Sequence, residues 1–342
     1  MSEPNPTFWP SVLSRLILRE PLTTDESAAA MLAIMREEAT PAQVAGFLMA
    51  LRTKGETVDE LDGLSRTALE MAQPVAATVA VVDTCGTGGD RSGTFNISTL
   101  GAIVVAGAGV PVAKHGNRAA SSHCGSADLL EALGVRIDLG PEGVERCLAR
   151  AGIGFMFAPV FHPAAAYAAG IRRELRVPTV FNFLGPLTNP ARPAAQVVGV
   201  SDAKMLPLLA EVLARRGVRA MVFRGEDGLD ELTTTGPSLV HDVEGGRVSV
   251  RALDPSALGL ARAVPDDLVG GDAATNAEIA RRVLGGEAGP QRDVVLLNAA
   301  AALLVAGKAS TMQESLIEAA ASIDSGAAAH TLERWVEVST TL

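Results

Sequence analysis

A short segment rich in glycine and hydroxyl residues, VVDTCGTGGDRSGTFNIST, runs from Val81 to Thr99. Its valines predict a buried strand that ends at Asp83, and a helical pattern begins near Asn96 or Ile97, so the glycines fall in a strand–helix loop. Glycines let backbone N–H groups approach an oxyanion, and the next helix N-terminus adds unpaired donors. The segment predicts a phosphate-binding loop, although a tight turn that needs glycine explains the same letters. It lacks P-loop and dinucleotide spacing, so ATP and NAD are poorly supported.

A second polar loop, KHGNRAASSHCGSAD, runs from Lys114 to Asp128 and follows another short strand pattern. It combines basic side chains with an asparagine and several serines, in a chain of formal net charge -10. Charge-assisted hydrogen bonds are worth roughly 1.5 to 3 kcal/mol each, so several of them would hold a highly charged ligand. A solvated surface loop is the plain alternative. Because loops after parallel strands meet at the ligand crevice, we expect both loops to form one anion site.

An acidic loop, RGEDGLDELTTTG, follows the strand pattern that ends at Phe223 and contains Asp227, Asp230 and Glu231. Carboxylate oxygens without a cysteine or histidine cluster suit magnesium that is held through water and substrate phosphates. Most acidic loops are only solvated, so this motif gains weight from the two predicted phosphate loops.

A fourth segment begins at His162 and carries Arg172, Arg173 and Arg176. Helical spacing predicts that Arg172 and Arg176 share one face. One arginine would anchor a substrate carboxylate bidentately, while the others face solvent or pair with Glu174.

Two parts of the chain with different sequence patterns must position these residues. The first seventy or so residues carry helical patterns opened by three capping boxes, which are Thr23 with Glu26, Thr40 with Gln43, and Thr57 with Glu60. A helical unit this small is marginal alone, so its apolar faces should pack against the rest of the chain or a second copy.

From residue 79 onward, short β-branched runs alternate with glycine-rich loops and helical patterns, which predicts an α/β fold with a mostly parallel sheet. The predicted strands are Val79 to Asp83, Pro111 to Lys114, Ile153 to Phe157, Gln196 to Val200 and Ala220 to Arg224, with a hairpin from Leu239 to Val250.

The bulk composition bounds the class of protein. A chain of 342 residues favours two unequal domains, and the net charge of -10 disfavours nucleic acid and anionic membranes as partners. Three cysteines without CxxC spacing indicate neither a disulfide framework nor a zinc site, so we expect a reducing cytoplasm. The uncharged runs are too short to span a bilayer, and no secretion signal is evident.

Six motifs occur in order between Asp83 and Asn276: GTGGD, NIST, KHGNRAASS, FLGPLTNP, DGLDE and GGDAATNA. This set resembles the anthranilate phosphoribosyltransferase family of tryptophan biosynthesis, and its order and spacing make the resemblance specific. The resemblance implies transfer of the phosphoribosyl group from phosphoribosyl pyrophosphate (PRPP) to the amine of anthranilate, with release of pyrophosphate. It also implies Mg²⁺ as cofactor.

The fold implied by the resemblance is a small all-helical domain plus a large α/β domain of the nucleoside phosphorylase and phosphoribosyltransferase type. The helical domain would comprise residues 1–72 with a returning segment near 162–184, and the α/β domain residues 73–342. The catalytic cleft would lie between them, and a homodimer would form through the helical domains.

Site residues are carried over from the family motifs position by position. The resemblance implies that Ser98, Asp230 and Glu231 bind magnesium and that Lys114, Asp230 and Glu231 are the catalytic residues. It implies that anthranilate is bound by Gly86, His115, Asn117 and Arg172. The positions implied for PRPP are Gly86, Gly89, Asp90, Thr94, Asn96, Ile97, Ser98, Thr99, Lys114, His115, Gly116, Asn117, Arg118, Ala119, Ala120, Ser121, Ser122 and Ser126.

The chain departs from the family pattern at two places. Ala165 and Ala166 stand where family members usually carry a bulky methionine or phenylalanine and then a basic residue, and Arg91 stands where glycine is common. We expect the first change to loosen the anthranilate entrance and the second to add a charge near the pyrophosphate.

Two other functions fit parts of the pattern. A pyrimidine nucleoside phosphorylase-like enzyme shares the implied fold, but its loop pattern differs from KHGNR. A noncatalytic, nucleic-acid-binding relative is disfavoured by the net charge and by the intact GTGGD and DE motifs.

Overall fold

Three helices of the first part of the chain begin at their predicted caps. The computed structural model describes residues 7–119 and 123–341, and its first helices are α1 (Phe8–Ile17), α2 (Thr24–Met35), α3 (Pro41–Lys54) and α4 (Val58–Glu70). All three capping boxes form, because each threonine accepts the third helical N–H while the Glu or Gln side chain accepts the threonine N–H. We refer to α1–α4 as the helical unit.

A seven-stranded sheet forms the centre of the rest of the chain. Its order is β3-β2-β1-β4-β5-β6-β7, parallel from β3 to β5 and antiparallel from β5 to β7. This confirms the predicted α/β class with a mostly parallel sheet. The strands are β1 (Val82–Gly86), β2 (Val112–Gly116), β3 (Ile153–Phe157), β4 (Ala195–Gly199), β5 (Arg219–Gly225), β6 (Ser238–Glu244) and β7 (Arg247–Leu253).

The first strand begins three residues later than predicted. Val79 is 52% exposed and lies outside the sheet, whereas Val82 is buried and pairs with Ala195 of β4. The β-branched side chain of Val79 therefore marked strand propensity at a position that has no neighbouring strand to pair with.

Helices cover both faces of the sheet. Among them, α13 is almost wholly buried and packs against α5. No helix within the described ranges is long and apolar enough to cross a membrane. The helices after the helical unit are α5 (Ile97–Gly107), α6 (Ser126–Ala132), α7 (Pro141–Ala151), α8 (Ala158–Phe161), α9 (Ala166–Leu175), α10 (Phe181–Leu184), α11 (Leu206–Arg215), α12 (Ala273–Leu284), α13 (Pro290–Val305), α14 (Met312–Asp324) and α15 (Ala327–Thr340).

The helical unit packs against the sheet through α9, α10 and α11. One continuous hydrophobic cluster joins Phe47 of α3 to Phe183 of α10 and Leu209 of α11. Ion pairs cross the same contact, including Arg216 with Asp62 at 3.1 Å. Because this contact covers only part of the sheet edge, a cleft remains between the helical unit and the carboxyl ends of the strands.

The strand order reverses at β1. The chain runs from β1 to β2 and β3 on one side and then continues with β4 and β5 on the other side. In open parallel sheets, ligands bind outside the carboxyl ends of the strands at this switch point. The loops after β1, β2 and β5, which carry the three polar motifs, therefore meet there.

Candidate active site

A cavity of about 760 Å³ lies at the switch point. It is lined by every predicted site residue that the structure describes, whereas Ala120, Ser121 and Ser122 lie outside the described residues. The predicted residues on its wall are Gly86, Gly89, Asp90, Thr94, Asn96, Ile97, Ser98, Thr99, Lys114, His115, Gly116, Asn117, Arg118, Ala119, Ser126, Arg172, Asp230 and Glu231.

The glycine-rich loop after β1 is held by its backbone. Gly88 and Gly89 have φ of 72° and 86°, which glycine adopts without strain. The Thr87 N–H donates to the Gly199 carbonyl at 2.9 Å, and the Gly88 N–H donates to Asp230 Oδ2 at 2.6 Å. The loop is therefore fixed to β4 and to the acidic motif at the same time.

Arg91 is one of the few non-glycine residues with positive φ among the described residues, at 62°. A left-handed backbone costs a residue with a Cβ roughly 1 to 2 kcal/mol, which is a physical reason for glycine at this place. Its side chain also lines the cleft. A charge contributed to the pyrophosphate site remains a prediction.

Two carboxylates of the acidic motif stand at the floor of the cleft. Glu231 is 9% exposed and its Oε1 accepts the Ser98 N–H at 3.1 Å. Burial raises the pKa of Glu231 to about 7, against the opposing effect of Lys114. Burial and the negative charges of Asp90 and Glu231 also raise the pKa of Asp230 well above its usual range.

This concentration of negative charge fits a divalent cation. Asp230 and Glu231 offer hard oxygen ligands beside the predicted phosphate loops, which is the donor chemistry that magnesium prefers. Within the described residues, no three His, Cys, Asp or Glu side chains are grouped to hold a metal. The protein would thus supply few ligands, and water and substrate phosphates would supply the rest.

Two glycines make room for Asp230. A Cβ on Gly86 would stand 2.4 Å from Asp230 Oδ2, and one on Gly199 would stand 1.7 Å from the Asp230 carbonyl oxygen. Both glycines end strands that pair with each other. Close packing of the acidic loop on these strand ends therefore requires glycine at both positions.

Lys114 of β2 provides the cation at the floor of the cleft. Its side chain is buried, and Nζ donates to the Thr84 carbonyl and, at 3.4 Å, to Ser98 Oγ. The ammonium therefore lies between β1 and the N-terminus of α5, where it faces the predicted phosphate site.

Asn96 does not cap the helix that it precedes. Its Nδ2 donates to the Cys124 carbonyl at 3.0 Å, and its Oδ1 accepts Asn276 Nδ2 at 2.9 Å. Asn276 is buried and lies in the GGDAATNA motif, for which the sequence pattern predicted no role. The motif therefore supports the phosphate loop from outside the cleft. The sequence could not show this role, because the two asparagines are 180 residues apart.

The basic loop is partly neutralised by α6. Arg118 forms ion pairs with Asp128 at 2.9 Å and with Glu131. Asp128 also accepts the Ala119 and Gly125 N–H groups at 3.0 and 2.9 Å. Asp128 therefore holds the loop at Ala119 and at Gly125. The Arg118 guanidinium is paired with carboxylates, whereas the Lys114 ammonium bonds to a carbonyl and a hydroxyl.

Arg172 occupies the opposite wall. Its Nη2 donates to Asn182 Oδ1 at 3.4 Å, and its guanidinium lies 5.3 Å from the centre of the Phe181 ring. Burial lowers the pKa of Arg172, and no carboxylate among the described residues pairs with it. A largely desolvated arginine without a counter-ion suits a substrate carboxylate.

The prediction that Arg172 and Arg176 share one helical face was wrong. Helix α9 ends at Leu175, and Arg176 follows as a left-handed cap with φ of 54°. Arg172 and Arg173 line the cleft, but Arg176 does not. The chain turns at the cap because Val177 and Pro178 follow it.

Two buried imidazoles lie side by side between the two walls. The ring centres of His115 and His162 are 5.0 Å apart, and His115 Nδ1 lies 3.2 Å from the Gly185 carbonyl oxygen. Neither Nε2 has a hydrogen-bond partner among the described residues. Burial lowers the pKa of each imidazole to about 4, so both are neutral at pH 7.

Acid should therefore destabilise the fold through these two imidazoles. An imidazole whose pKa falls from 6.5 to about 4 on folding binds protons preferentially in the unfolded state between these values. We expect about 2 kcal/mol of lost stability per imidazole at pH 5 relative to pH 7.5. Urea unfolding at both pH values, compared between the wild type and a variant that lacks one imidazole, measures this loss.

The variant His162→Asn should lose less stability on acidification than the wild type. The exposed His330 supplies the matched control, because His330→Asn keeps both buried imidazoles and the loss that they cause should persist. Equal acid sensitivity of His162→Asn and the wild type would contradict the assignment.

Several wall residues were missed by sequence reasoning. Met35 of α2 and Ala68 of α4 approach from the helical unit, while Phe181 and Asn182 hold Arg172. None of them has a chemical signature, because their role depends on where the helical unit docks. Ala165 and Ala166, the departures from the family pattern, also line the cleft.

Comparison with known proteins gives one consistent result. Residues 78–329 match the family model described as the glycosyl transferase family α/β domain, and residues 10–72 match its helical bundle domain. An anthranilate phosphoribosyltransferase of Acidothermus cellulolyticus is 57% identical over 337 residues, which are 97% of this chain and 95% of that protein.

Two solved structures share the fold. The chain superposes on anthranilate phosphoribosyltransferase (TrpD) from Thermus thermophilus with a TM-score of 0.92 and 45% identity, covering 96% of this chain and 99% of that chain. The enzyme from Saccharomyces cerevisiae in complex with PRPP and Mg gives a TM-score of 0.91 at 27% identity, covering 99% of each chain. On this extent of similarity, and with all described residues of the predicted site gathered in one cleft, the chain belongs to the anthranilate phosphoribosyltransferase family.

Proposed function

We propose that the cleft transfers the phosphoribosyl group of PRPP to the amine of anthranilate, with release of pyrophosphate, as a step of tryptophan biosynthesis. One juxtaposition carries the proposal: two predicted phosphate loops and a carboxylate pair share a cleft with the half-buried Arg172, which pairs with no carboxylate among the described residues. The names of the relatives favour this reaction over nucleoside phosphorolysis and over nucleic-acid binding.

The first task of the site is to stabilise the leaving group. Departure of pyrophosphate from an oxocarbenium-like ribose increases negative charge on its oxygens. We assign those oxygens to the Lys114 ammonium and to N–H groups of the glycine-rich loop beyond Gly88, because the Thr87 and Gly88 N–H groups are bonded within the protein. When bound through Asp230 and Glu231, Mg²⁺ would add charge neutralisation as a Lewis acid.

The second task is to place the acceptor. An aromatic amine is neutral at pH 7 and keeps its lone pair, so positioning matters more than a strong general base. We assign the anthranilate carboxylate to Arg172, and the ring side of the acceptor to Gly86, Asn117 and His115. The neutral imidazole of His115 places no second cation beside Arg172.

The acceptor assignment predicts the effect of Arg172→Ala. We expect the anthranilate KM to rise by about a hundredfold, with less than about a threefold change in the PRPP KM, because a desolvated bidentate pair with a carboxylate is lost. Steady-state kinetics followed by the fall of anthranilate fluorescence measures both constants.

Arg176→Ala is the matched control for Arg172→Ala. It removes an arginine from the same segment but from outside the cleft, so both KM values should stay at wild-type level. An unchanged anthranilate KM in Arg172→Ala would refute the acceptor assignment.

We also propose the two-domain division at residues 72 and 73, with the segment near 162–184 returning to the helical domain. The packing of α9 on α2 and α3 supports this division, as do the ranges of the two matched family models. Cys85, Cys124 and Cys147 are buried thiols, which supports a reducing, cytoplasmic location.

A homodimer through the helical domain is the proposed assembly. Ile17 and Leu18, at the end of α1, are 74% and 68% exposed, and Met49 of the adjacent α3 is also exposed. Exposed apolar patches of this kind are typical of interfaces. Sedimentation should give a dimer for the wild type and a monomer for Ile17→Asp with Leu18→Asp, whereas an unchanged mass of the double variant would contradict this interface.

A further inference from the structure

The backbone pairing between β1 and β2 is confined to the start of the two strands. The register of β1 with β4 continues over five residue pairs, from Val82 with Ala195 to Gly86 with Gly199. The register of β1 with β2 comprises only Val82 with Val112. The two strands that carry the phosphate loops are thus joined along little of their length by main-chain pairing.

Side chains span this separation. The Asp83 Oδ1 accepts the His115 N–H at 3.3 Å, and Lys114 Nζ donates to the Thr84 carbonyl in the opposite direction. The Thr84 hydroxyl in turn donates to the Ser98 carbonyl at 3.1 Å. Two groups that a continuous ladder would use, the His115 N–H and the Thr84 carbonyl, are bonded instead to side chains across the separation.

Asp83 is the centre of these contacts. Its carboxylate is 0% exposed, and its Oδ2 accepts Gln196 Nε2 of β4 at 3.4 Å. Gln196 also donates to the Pro186 carbonyl at 2.9 Å, next to the Gly185 carbonyl that meets His115 Nδ1. One carboxylate therefore connects β2, β4 and the loop behind the acceptor site.

The charge of Asp83 also matters. Lys114 is 2% exposed and Asp83 is fully enclosed, so both charges are removed from solvent. Burial raises the pKa of Asp83, and the nearby Lys114 opposes that shift. If Glu231 turns to a metal ion, Asp83 remains as a buried carboxylate that can balance Lys114, although no hydrogen bond joins the two side chains directly.

We propose that Asp83 is a positioning residue for PRPP, which holds Lys114 and the end of β2 in place across the separation between β1 and β2. This role rests on the proposed contact of Lys114 with the leaving group. Asp83 has no contact with the reacting atoms in this scheme, because it acts through Lys114 and the His115 backbone.

Asp83→Asn tests the role with little change of shape. The amide keeps an oxygen for the His115 N–H but removes the charge that faces Lys114. We expect the PRPP KM to rise about tenfold and the anthranilate KM to change less than about twofold, a size typical of coupled buried groups. A wild-type PRPP KM, or a fall in kcat alone that follows the folded fraction, would overturn the proposal.

A double-mutant cycle with Lys114→Met separates positioning from general stability. Without the ammonium, Asp83→Asn should add less than about a twofold further increase in the PRPP KM, whereas additive effects would show that the two residues act independently. If Asp83→Asn does not fold, folding of the double variant would support the coupling, and its failure to fold would overturn it.

Two comparisons make the outcome specific. Ser322→Ala removes a buried hydroxyl that donates to the Val104 carbonyl at 2.8 Å, outside the cleft, so it should lower stability and leave both KM values unchanged. If Lys114→Met itself leaves the PRPP KM unchanged, the assignment of Lys114 fails, and this inference fails with it. Anthranilate consumption by the wild type tests the reaction independently of both.

Discussion

Replacing Asp230 by Asn and Glu231 by Gln together is expected to lower turnover by at least about a thousandfold, as for loss of a principal electrostatic element in other sites. These two carboxylates are the proposed charged ligands of magnesium at the floor of the cleft. The amides keep the size of the side chains, so the loss reports charge. Residual activity should require far more magnesium than the wild type.

The measurement is a magnesium titration of anthranilate consumption at saturating PRPP. Glu226→Gln is the matched control, because Glu226 lies in the same acidic loop, is exposed and does not line the cleft. Its activity and magnesium dependence should match the wild type. If the Asp230 and Glu231 variant also matched the wild type, the metal assignment would be wrong.

Gly199→Ala is expected to reduce kcat/KM by about a hundredfold, the effect that a displacement of about 1 Å has in well-aligned sites. A Cβ at this position would stand 1.7 Å from the Asp230 carbonyl oxygen. Strand β4 cannot withdraw, because Gly199 pairs with Gly86 on one side and with Phe223 on the other. The acidic loop must therefore move, and Asp230 moves with it.

The same change should lower the free energy of unfolding by about 1 to 3 kcal/mol through overpacking. Gly140→Ala supplies the control, since a Cβ there meets nothing within 4 Å and φ is -76°. That variant should keep wild-type kinetics. A Gly199→Ala enzyme with unchanged kcat/KM and magnesium dependence would show that Asp230 need not hold its present position.

Local features of the fold followed directly from the sequence. The capping boxes at Thr23, Thr40 and Thr57 formed because a cap and its partner are three residues apart, so no distant contact decides them. Strand β3 has the predicted bounds, Ile153–Phe157, because Gly152 and Pro159 flank its apolar run. The meeting of the phosphate loops also followed, since parallel strands end at one edge.

The phosphate loop between Val81 and Thr99 shows where sequence reasoning stops. Its glycines and hydroxyls determined that it suits an anion, and the ordered motifs determined the family. The tertiary structure alone decided that Asn96 joins Asn276, that Asp230 packs on Gly86, and that Asp83 reaches across from β1 to β2. The physical reason is range: backbone propensity acts within a few residues, whereas these contacts depend on how distant segments dock.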